Sequence, residues 1–285
     1  LIYGRIARLR IQSDITIQHD GKLLCGGIAW TRIGVAKQSN VVEMFEKFTH
    51  LPTKLQLTEY LPAPKTFKDT YTAHYPAEDF QHSPDRRLGN AALGIVALSC
   101  TKILLDNGCQ EAVKIAAVDV LTCRILMDFL VCTDPKELVK DWRPRVTGLS
   151  NISNLEDARQ AGYKILKGWK AARAALWAFV DKETTIVGYN LRADLDVLRM
   201  IHGRAVDITK VVEKAAAGPL SRGQLSLDSL CREFPGVILN AHPKYGRDCL
   251  LDAFAIREFG LWVLKQGDEM VRKAKSKSRE YQILA

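Results

Sequence analysis

Two aspartates, each placed so that it must face the interior of the fold, are the residues of this 285-residue sequence best set up to do chemistry. The first is Asp194, in the stretch IVGYNLRADLDVLRMIHGRAVDI at 186–208. An apolar burst (Ile186, Val187) enters a Gly-Tyr-Asn turn, and Leu191, Val197, Leu198 and Ile201 then fall on one helical face, which predicts strand, turn and helix. With Asn190 as N-cap, Asp194 stands in the first turn, three and four places before Val197 and Leu198, and leans toward the apolar face, while Asp196 points elsewhere. Taken alone, Asp194 has a plainer reading as a charge that complements the helix dipole. The second is Asp252, in YGRDCLLDAFAIREFGLWVL at 245–264. If Asp248 caps this helix, Cys249, Asp252, Ala253, Ile256, Phe259 and Val263 share the face that must be buried. An unpaired carboxylate in an apolar interior is costly, so each acid requires a cation, a hydrogen-bond donor or water beside it.

The elements that position these acids follow from the texture of the chain. ALGIVALS, VKIAAVDV and RILMDFLVC are apolar runs joined by tight connections, a DNG turn at 106–108 and a short VLTC corner, which predicts three consecutive strands in an antiparallel meander. The segment 155–180 has helical period throughout, with breaks expected near Gly162 or Gly168. Strand TTIVGY, the Asp194 helix, strand RAVDI, a helix at 224–234 and the Asp252 helix complete an α/β order with later crossovers.

Residues 1–90 read as an N-terminal extension. Residues 1–17 mix apolar and basic side chains, LLCGGIAW suggests a short strand, and NVVEMFEKFTHL at 40–51 has helical spacing with Asn40 as cap. From Leu51 the composition shifts to Pro, Thr, Lys and His, the signature of a linker or an arm laid on a neighbouring surface, with the boundary near 85–90. Residues 91–265 form the main domain, and 266–285 a basic tail whose default reading is a solvated helix end.

The balance of 41 Lys and Arg against 32 Asp and Glu, net +9, suits an acidic partner such as nucleic acid. The longest apolar tract, at 91–98, is far too short to span a bilayer, which predicts a soluble chain without a membrane partner. The chain opens on Leu1 rather than Met and without a secretory pattern, so a fragment or processed form is expected. Seven cysteines (Cys25, Cys100, Cys109, Cys123, Cys132, Cys231, Cys249) lack Cys-x-x-Cys spacing and sit mostly in apolar runs. They point to a reducing intracellular compartment, and a nuclear location is expected ahead of a cytoplasmic one. Cys25 with His50, His74 or His82 has no metal-ligand spacing.

Four separated segments, in order, resemble the RNA exonuclease branch of the DEDDh 3′-to-5′ exonucleases, a ribonuclease H-like family. GYNLRADLDVL resembles the family's Gly-His-x-Leu-x-x-Asp-Leu and places Asp194 at its second catalytic motif. GRDCLLDA resembles Gly-His-Asp-Ser-x-Glu-Asp-Ala and places Asp252 at the last catalytic acid. QLSLDSLCREF at 224–234 matches a Ser-Leu-x-x-Leu helix, and 125–150 resembles the strand and Tyr-x-x-Arg-x-Ser-Gly-Ile-Thr segment. The resemblance runs from about Leu93 to Leu264 and implies a ribonuclease H-like mixed β-sheet flanked by helices. It also implies a centre in which four carboxylates hold two divalent ions and a histidine acts as general base.

Against that pattern this chain departs at three positions. The first-motif acids fall at Ser99 and Thr101, both neutral, and Arg247 stands where the general-base histidine belongs. Taking Asp119 as the first acid fails, because residue 121 is then Leu and 116–127 fits the second and third strands better; Asp106 and Glu111 lie past the first strand's end. With only Asp194 and Asp252 left as metal ligands, metal binding is expected to be weak or absent and no cofactor is implied, Mg²⁺ or Mn²⁺ entering only if the chain is an active exonuclease with an altered site. The leading expectation is an exonuclease-like pseudoenzyme that binds single-stranded RNA or DNA or docks a protein, with Trp142, Arg143 and Arg145 supplying a stacking face and phosphate contacts. A structural subunit of a ribonucleoprotein is the further alternative.

Overall fold

The computed structural model describes residues 16–17, 23–49, 75–89, 92–162, 164–243 and 245–284. Near the N-terminus, β1 (Thr16–Ile17), β2 (Leu23–Cys25) and β3 (Ile28–Trp30) make a three-stranded antiparallel sheet, followed by helix α1 (Val35–Phe48). The helix starts five residues before the expected Asn40, because Ala36, Lys37 and Gln38 are good helix formers and Asn40 is simply an exposed position inside it. The expected linker at 50–74 and the mixed segment at 1–15 lie outside the described residues. The short strand β4 (Gln81–His82) then leads into the main sheet.

Three long strands, β5 (Ile95–Leu105), β6 (Gln110–Asp119) and β7 (Ile125–Cys132), form the expected antiparallel meander, with β8 (Val139–Asp141) added beside the end of β5. Two short helices follow, α2 (Pro144–Thr147) and α3 (Ser153–Gln160). The segment 155–180 is not helical throughout: β9 (Ile165–Lys167) interrupts it and pairs in parallel with β7, before α4 (Gly168–Leu176) resumes. Gly162 and Gly168, both at positive φ, bracket the interruption, and burial of Leu166 against the sheet outweighs the helical period.

The rest of the chain is an α/β run: β10 (Thr185–Gly188), α5 (Leu191–Val197), β11 (Met200–Ile201), β12 (Ala205–Asp207), α6 (Ile208–Ala216), α7 (Leu227–Glu233), α8 (Cys249–Lys265) and α9 (Gly267–Leu284). The main sheet has the order β12-β10-β5-β6-β7-β9, with β10 parallel to both β5 and β12. This is the mixed, helix-flanked sheet that the resemblance implied.

Alternation along β5 sorts the core into two layers. Val96, Leu98 and Cys100 pack with Leu176, Leu191 and Leu195 of α4 and α5, whereas Ile95 and Ala97 pack with Phe254 and Phe259 of α8. The N-terminal elements join the second layer: Trp30 stacks on Phe254 with ring centroids 5.4 Å apart, and buried Phe45 of α1 lies against Gly260. None of the described helices is long and apolar enough to cross a membrane.

Since α1 shares this core, Phe45→Ala should lower the unfolding free energy by about 3–5 kcal/mol while leaving a single transition. Urea denaturation followed by tryptophan fluorescence checks it, and a separate early transition would show that the N-terminal region melts on its own.

Candidate functional site

Asp194 reaches the interior through an unexpected start to its helix. Asn190 occupies the N-cap position but is left-handed (φ 48°, ψ 49°), a conformation asparagine tolerates better than most residues, and its side chain makes no cap bond. The capping acceptor is Asp207 at the end of β12, whose carboxylate receives the N–H groups of Asn190 at 3.1 Å and Leu191 at 2.9 Å, and that of Thr209 at the start of α6 at 2.9 Å. One buried side chain therefore organises two helix N-termini, and Asp194 in the first turn is only 2 % exposed. Asp196 points elsewhere, as expected, and pairs with Arg192 at 3.0 Å.

Asp252 follows the simpler plan. Asp248 caps α8 by accepting the Leu251 N–H at 2.9 Å, which sets the register that turns Asp252 inward. The loop before it is fixed by backbone contacts: Arg247 N–H donates to the Val146 carbonyl at 2.7 Å, and Gly246 adopts φ +73° where a Cβ would meet the same carbonyl and, at 2.6 Å, the Gly148 nitrogen. Only glycine lets the two loops cross there.

Ser99, Thr101, Asp194, Arg247 and Asp252 converge on one cleft of about 260 Å³, together with Cys100, Lys102, Arg143, Tyr189, Ser226 and Asp228. Of the residues expected to touch nucleic acid, the cleft includes Arg143 alone. Trp142 packs half-buried against the apolar cluster around Ile103 and Leu105, and Arg145 is exposed on α2. Glu111 is on β6 rather than on the turn, and it pairs with Arg199 at 2.6 Å, away from the cleft.

Neither surviving acid is unpaired. The Lys102 ammonium contacts Asp194 Oδ1 and donates to the Cys100 carbonyl at 3.1 Å. Burial pushes the Asp194 carboxyl up to about 6 against the pull of Lys102, whose own pKa ends above the ordinary value because Asp194 outweighs the effect of burial. Arg247 holds Asp252 through Nε at 3.0 Å and Nη2 at 2.8 Å, and Asp228 through Nη1 at 3.1 Å and Nη2 at 2.7 Å. Burial raises Asp252 and Arg247 lowers it again, leaving it above the usual carboxylate range. Beneath them, Lys114 is buried with its pKa pushed down and donates to the Arg247 carbonyl at 3.1 Å. The Cys249 thiol, pushed up to about 12 by burial, donates to the Ser99 carbonyl at 3.2 Å and stays protonated at neutral pH.

The sequence reading did not foresee Lys102 and Asp228. Lys102 had one signal, a lone cation in the buried strand IVALSCTKILL, on the face shared with Leu98 and Cys100 where the Asp194 helix packs. Asp228 had a weaker one, an acid in the first turn of a helix capped by Ser226.

The donor set does not fit a pair of divalent ions. Hydroxyls stand at two of the implied ligand positions, side-chain cations engage the remaining acids, and among the described residues no group of three or more His, Cys, Asp or Glu is arranged to hold a metal.

Removing the ammonium by Lys102→Met should cost about 3–5 kcal/mol at pH 8, because it strands a buried carboxylate. The folded Asp194 carboxyl lies above its ordinary 3.8, so the stability it contributes is fully present below 3.8 and lost as pH rises toward about 6. Without Lys102 that window extends upward, and the deficit against wild type should shrink on going from pH 8 to pH 5. Urea midpoints at the two pH values check this.

No protein-family model matches the chain. Among curated proteins it is similar to Small RNA degrading nuclease 2 of Arabidopsis thaliana, 26% identical over 238 residues, which cover 80% of this chain and 48% of that protein. It is also similar to Small RNA degrading nuclease 3 of the same plant (27% over 173 residues, 61% and 20%) and to RNA exonuclease 3 of Candida albicans (25% over 141 residues, 49% and 31%). The chain thus spans less than half the length of these relatives. Among solved structures, the Neurospora crassa Pan2 catalytic unit, comprising protease and nuclease domains, matches with a TM-score of 0.51 at 15% identity, covering 76% of this chain and 33% of that one. The Saccharomyces cerevisiae Pan2 pseudoubiquitin hydrolase-RNA exonuclease module in complex with AAGGAA RNA matches with a TM-score of 0.52 at 11% identity, covering 72% and 35%. The chain is thus similar to RNA-degrading nucleases along most of its length and shares the fold of the nuclease-containing Pan2 structures.

Proposed function

We propose that the chain is a single-stranded RNA-binding module that keeps the exonuclease fold without hydrolysing its ligand. The observation that carries this reading is the make-up of the cleft: neutral Ser99 and Thr101 on the strand, and Arg247 beside Asp252, where the resemblance would put the general base. A guanidinium stays protonated at any ordinary pH and cannot take a proton from water. Losing the base alone costs about 10²- to 10⁴-fold in rate, and two hydroxyls do not supply the negative charge that two divalent ions require.

RNA is the ligand class favoured by the relatives, two named for degrading small RNA, and by the Pan2 module whose complex holds AAGGAA RNA. The +9 net charge agrees with it. At the cleft the available contact is Arg143. It is left-handed at the start of α2, its N–H donates to Asp141 at 2.7 Å, and its guanidinium has no ion-pair partner among the described residues, unlike the Lys102 ammonium and the Arg247 guanidinium. It is thus the cleft cation still able to take a phosphate.

The wild-type chain should leave 3′-labelled single-stranded RNA uncut with Mg²⁺ or Mn²⁺, and should bind it with an affinity that falls as salt rises. Arg143→Ala should weaken binding by about 1.5 kcal/mol, roughly tenfold. Gel analysis of the RNA and fluorescence anisotropy read the two arms. Metal-dependent shortening that disappears in Asp194→Asn would reverse the catalytic half of the proposal, and absence of RNA binding at low salt would reverse the other half.

A further inference from the structure

We propose that Lys102 and Arg247 are resident replacements for two divalent cations, so that the cleft holds the charge balance of a metal-loaded nuclease with no metal at all. This rests on the reading of the cleft as a former nuclease centre.

The geometry gives each side chain the surroundings of a bound ion. Lys102 Nζ lies between two oxygens, Asp194 Oδ1 and the Cys100 carbonyl, the hard donors that Mg²⁺ or Mn²⁺ would select. Arg247 joins two carboxylates from two helices, Asp252 of α8 and Asp228 of α7, through four hydrogen bonds from one planar fork. Both acids at family ligand positions are therefore engaged at their oxygens, one by an ammonium and one by a guanidinium.

The charge count ties the two neutral side chains to the two cations. Exchanging two divalent ions for two monovalent side chains removes two positive charges from the cleft, and replacing two carboxylates by Ser99 and Thr101 removes two negative ones. What remains is balanced: Asp194, Asp228 and Asp252 against Lys102, Arg143 and Arg247. Restoring the two acids while both cations stayed would leave an excess of negative charge in a poorly solvated site, and removing the cations without restoring the acids would strand buried carboxylates. Neutral side chains at 99 and 101 and cations at 102 and 247 are thus one coupled substitution.

The test is Mn²⁺ titration of the full chain by calorimetry, with thermal melts in excess Mn²⁺ and in EDTA. Wild type should show no binding heat and no shift in Tm. Ser99→Asp/Thr101→Glu, with Lys102 and Arg247 kept, should also fail to bind Mn²⁺. Adding Lys102→Ala and Arg247→His should produce a Mn²⁺-dependent rise in Tm of roughly 5 °C or more at ~100-fold excess over Kd. Mn²⁺ binding by the wild type or by the double variant, or a quadruple variant that melts cooperatively yet ignores Mn²⁺, overturns the proposal. Lys102→Gln provides an arm that does not depend on the quadruple variant folding. Its lowered Tm at pH 8 should recover in part with Mn²⁺ but not with K⁺ at equal ionic strength, and no recovery counts against the replacement. RNA affinity enters none of these readouts, so failure of RNA binding leaves them decisive.

Discussion

The structure depends on neutralising carboxylates in a place water barely reaches. Asp194 and Asp252 are carried inward by the packing faces of their helices, and in a medium of low polarity each must be met by a positive charge at hydrogen-bonding distance. The cations come from elsewhere in the chain: Lys102 from the central strand, Arg247 from the loop that precedes its own acid. Closing the sheet against α5 and the 242–248 loop against α7 is therefore the same event as making the cleft electrically complete. A fold assembled out of register by one residue on β5 would turn Lys102 to the opposite face and leave Asp194 without a partner.

The scaffold around these pairs is economical in its use of polar groups. Asp207 accepts from three backbone N–H groups and so holds both the turn into the Asp194 helix and the start of α6. Lys114, buried beneath the loop, spends a hydrogen bond on the Arg247 carbonyl rather than on a carboxylate, so the guanidinium is fixed from its backbone side as well as from its fork. Such doubly anchored groups lose little further freedom when they pair, which favours the salt bridge over solvent.

How much of this was legible depended on whether a feature is local in the chain. Asp194 and Asp252 could be read because a carboxylate at helical spacing from apolar residues betrays its direction, and Asp248 because a cap precedes its helix. Ser99 and Thr101 could be placed because β5 is a long apolar strand with a clear turn after it. Lys102 and Asp228 were not visible as site residues, since their partners lie 92 and 19 residues away and nothing in their own neighbourhoods announces them. Asn190 looked like a cap by type, but the sharp turn from β10 forced it left-handed and passed the task to Asp207, a long-range acceptor. The interruption at 165–167 was hidden because three residues with a helical period can pair with a strand edge whenever the sheet offers a place to bury one leucine.

The strip from Tyr75 to Ser83 has a consequence for how the molecule can be divided. Arg199, immediately after the Asp194 helix, stacks between Tyr75 at 4.3 Å and Trp169 at 4.6 Å, while Arg173 donates to the carbonyls of Asp79 and Arg199 at 2.9 and 2.8 Å. Gln81 and Ser83 then donate to the carbonyls of Arg199 and Ile201, and Ser83 meets His202 at 2.8 Å, a ring that burial keeps neutral by lowering its pKa to about 4. A chain cut just before the first long strand would uncover the rim of this stack, leave carbonyl oxygens at 199 and 201 facing solvent, and loosen the peptide to which the Asp194 helix is tethered. The acid-bearing helix is thus held in place by residues that precede the long strand carrying Ser99 and Thr101.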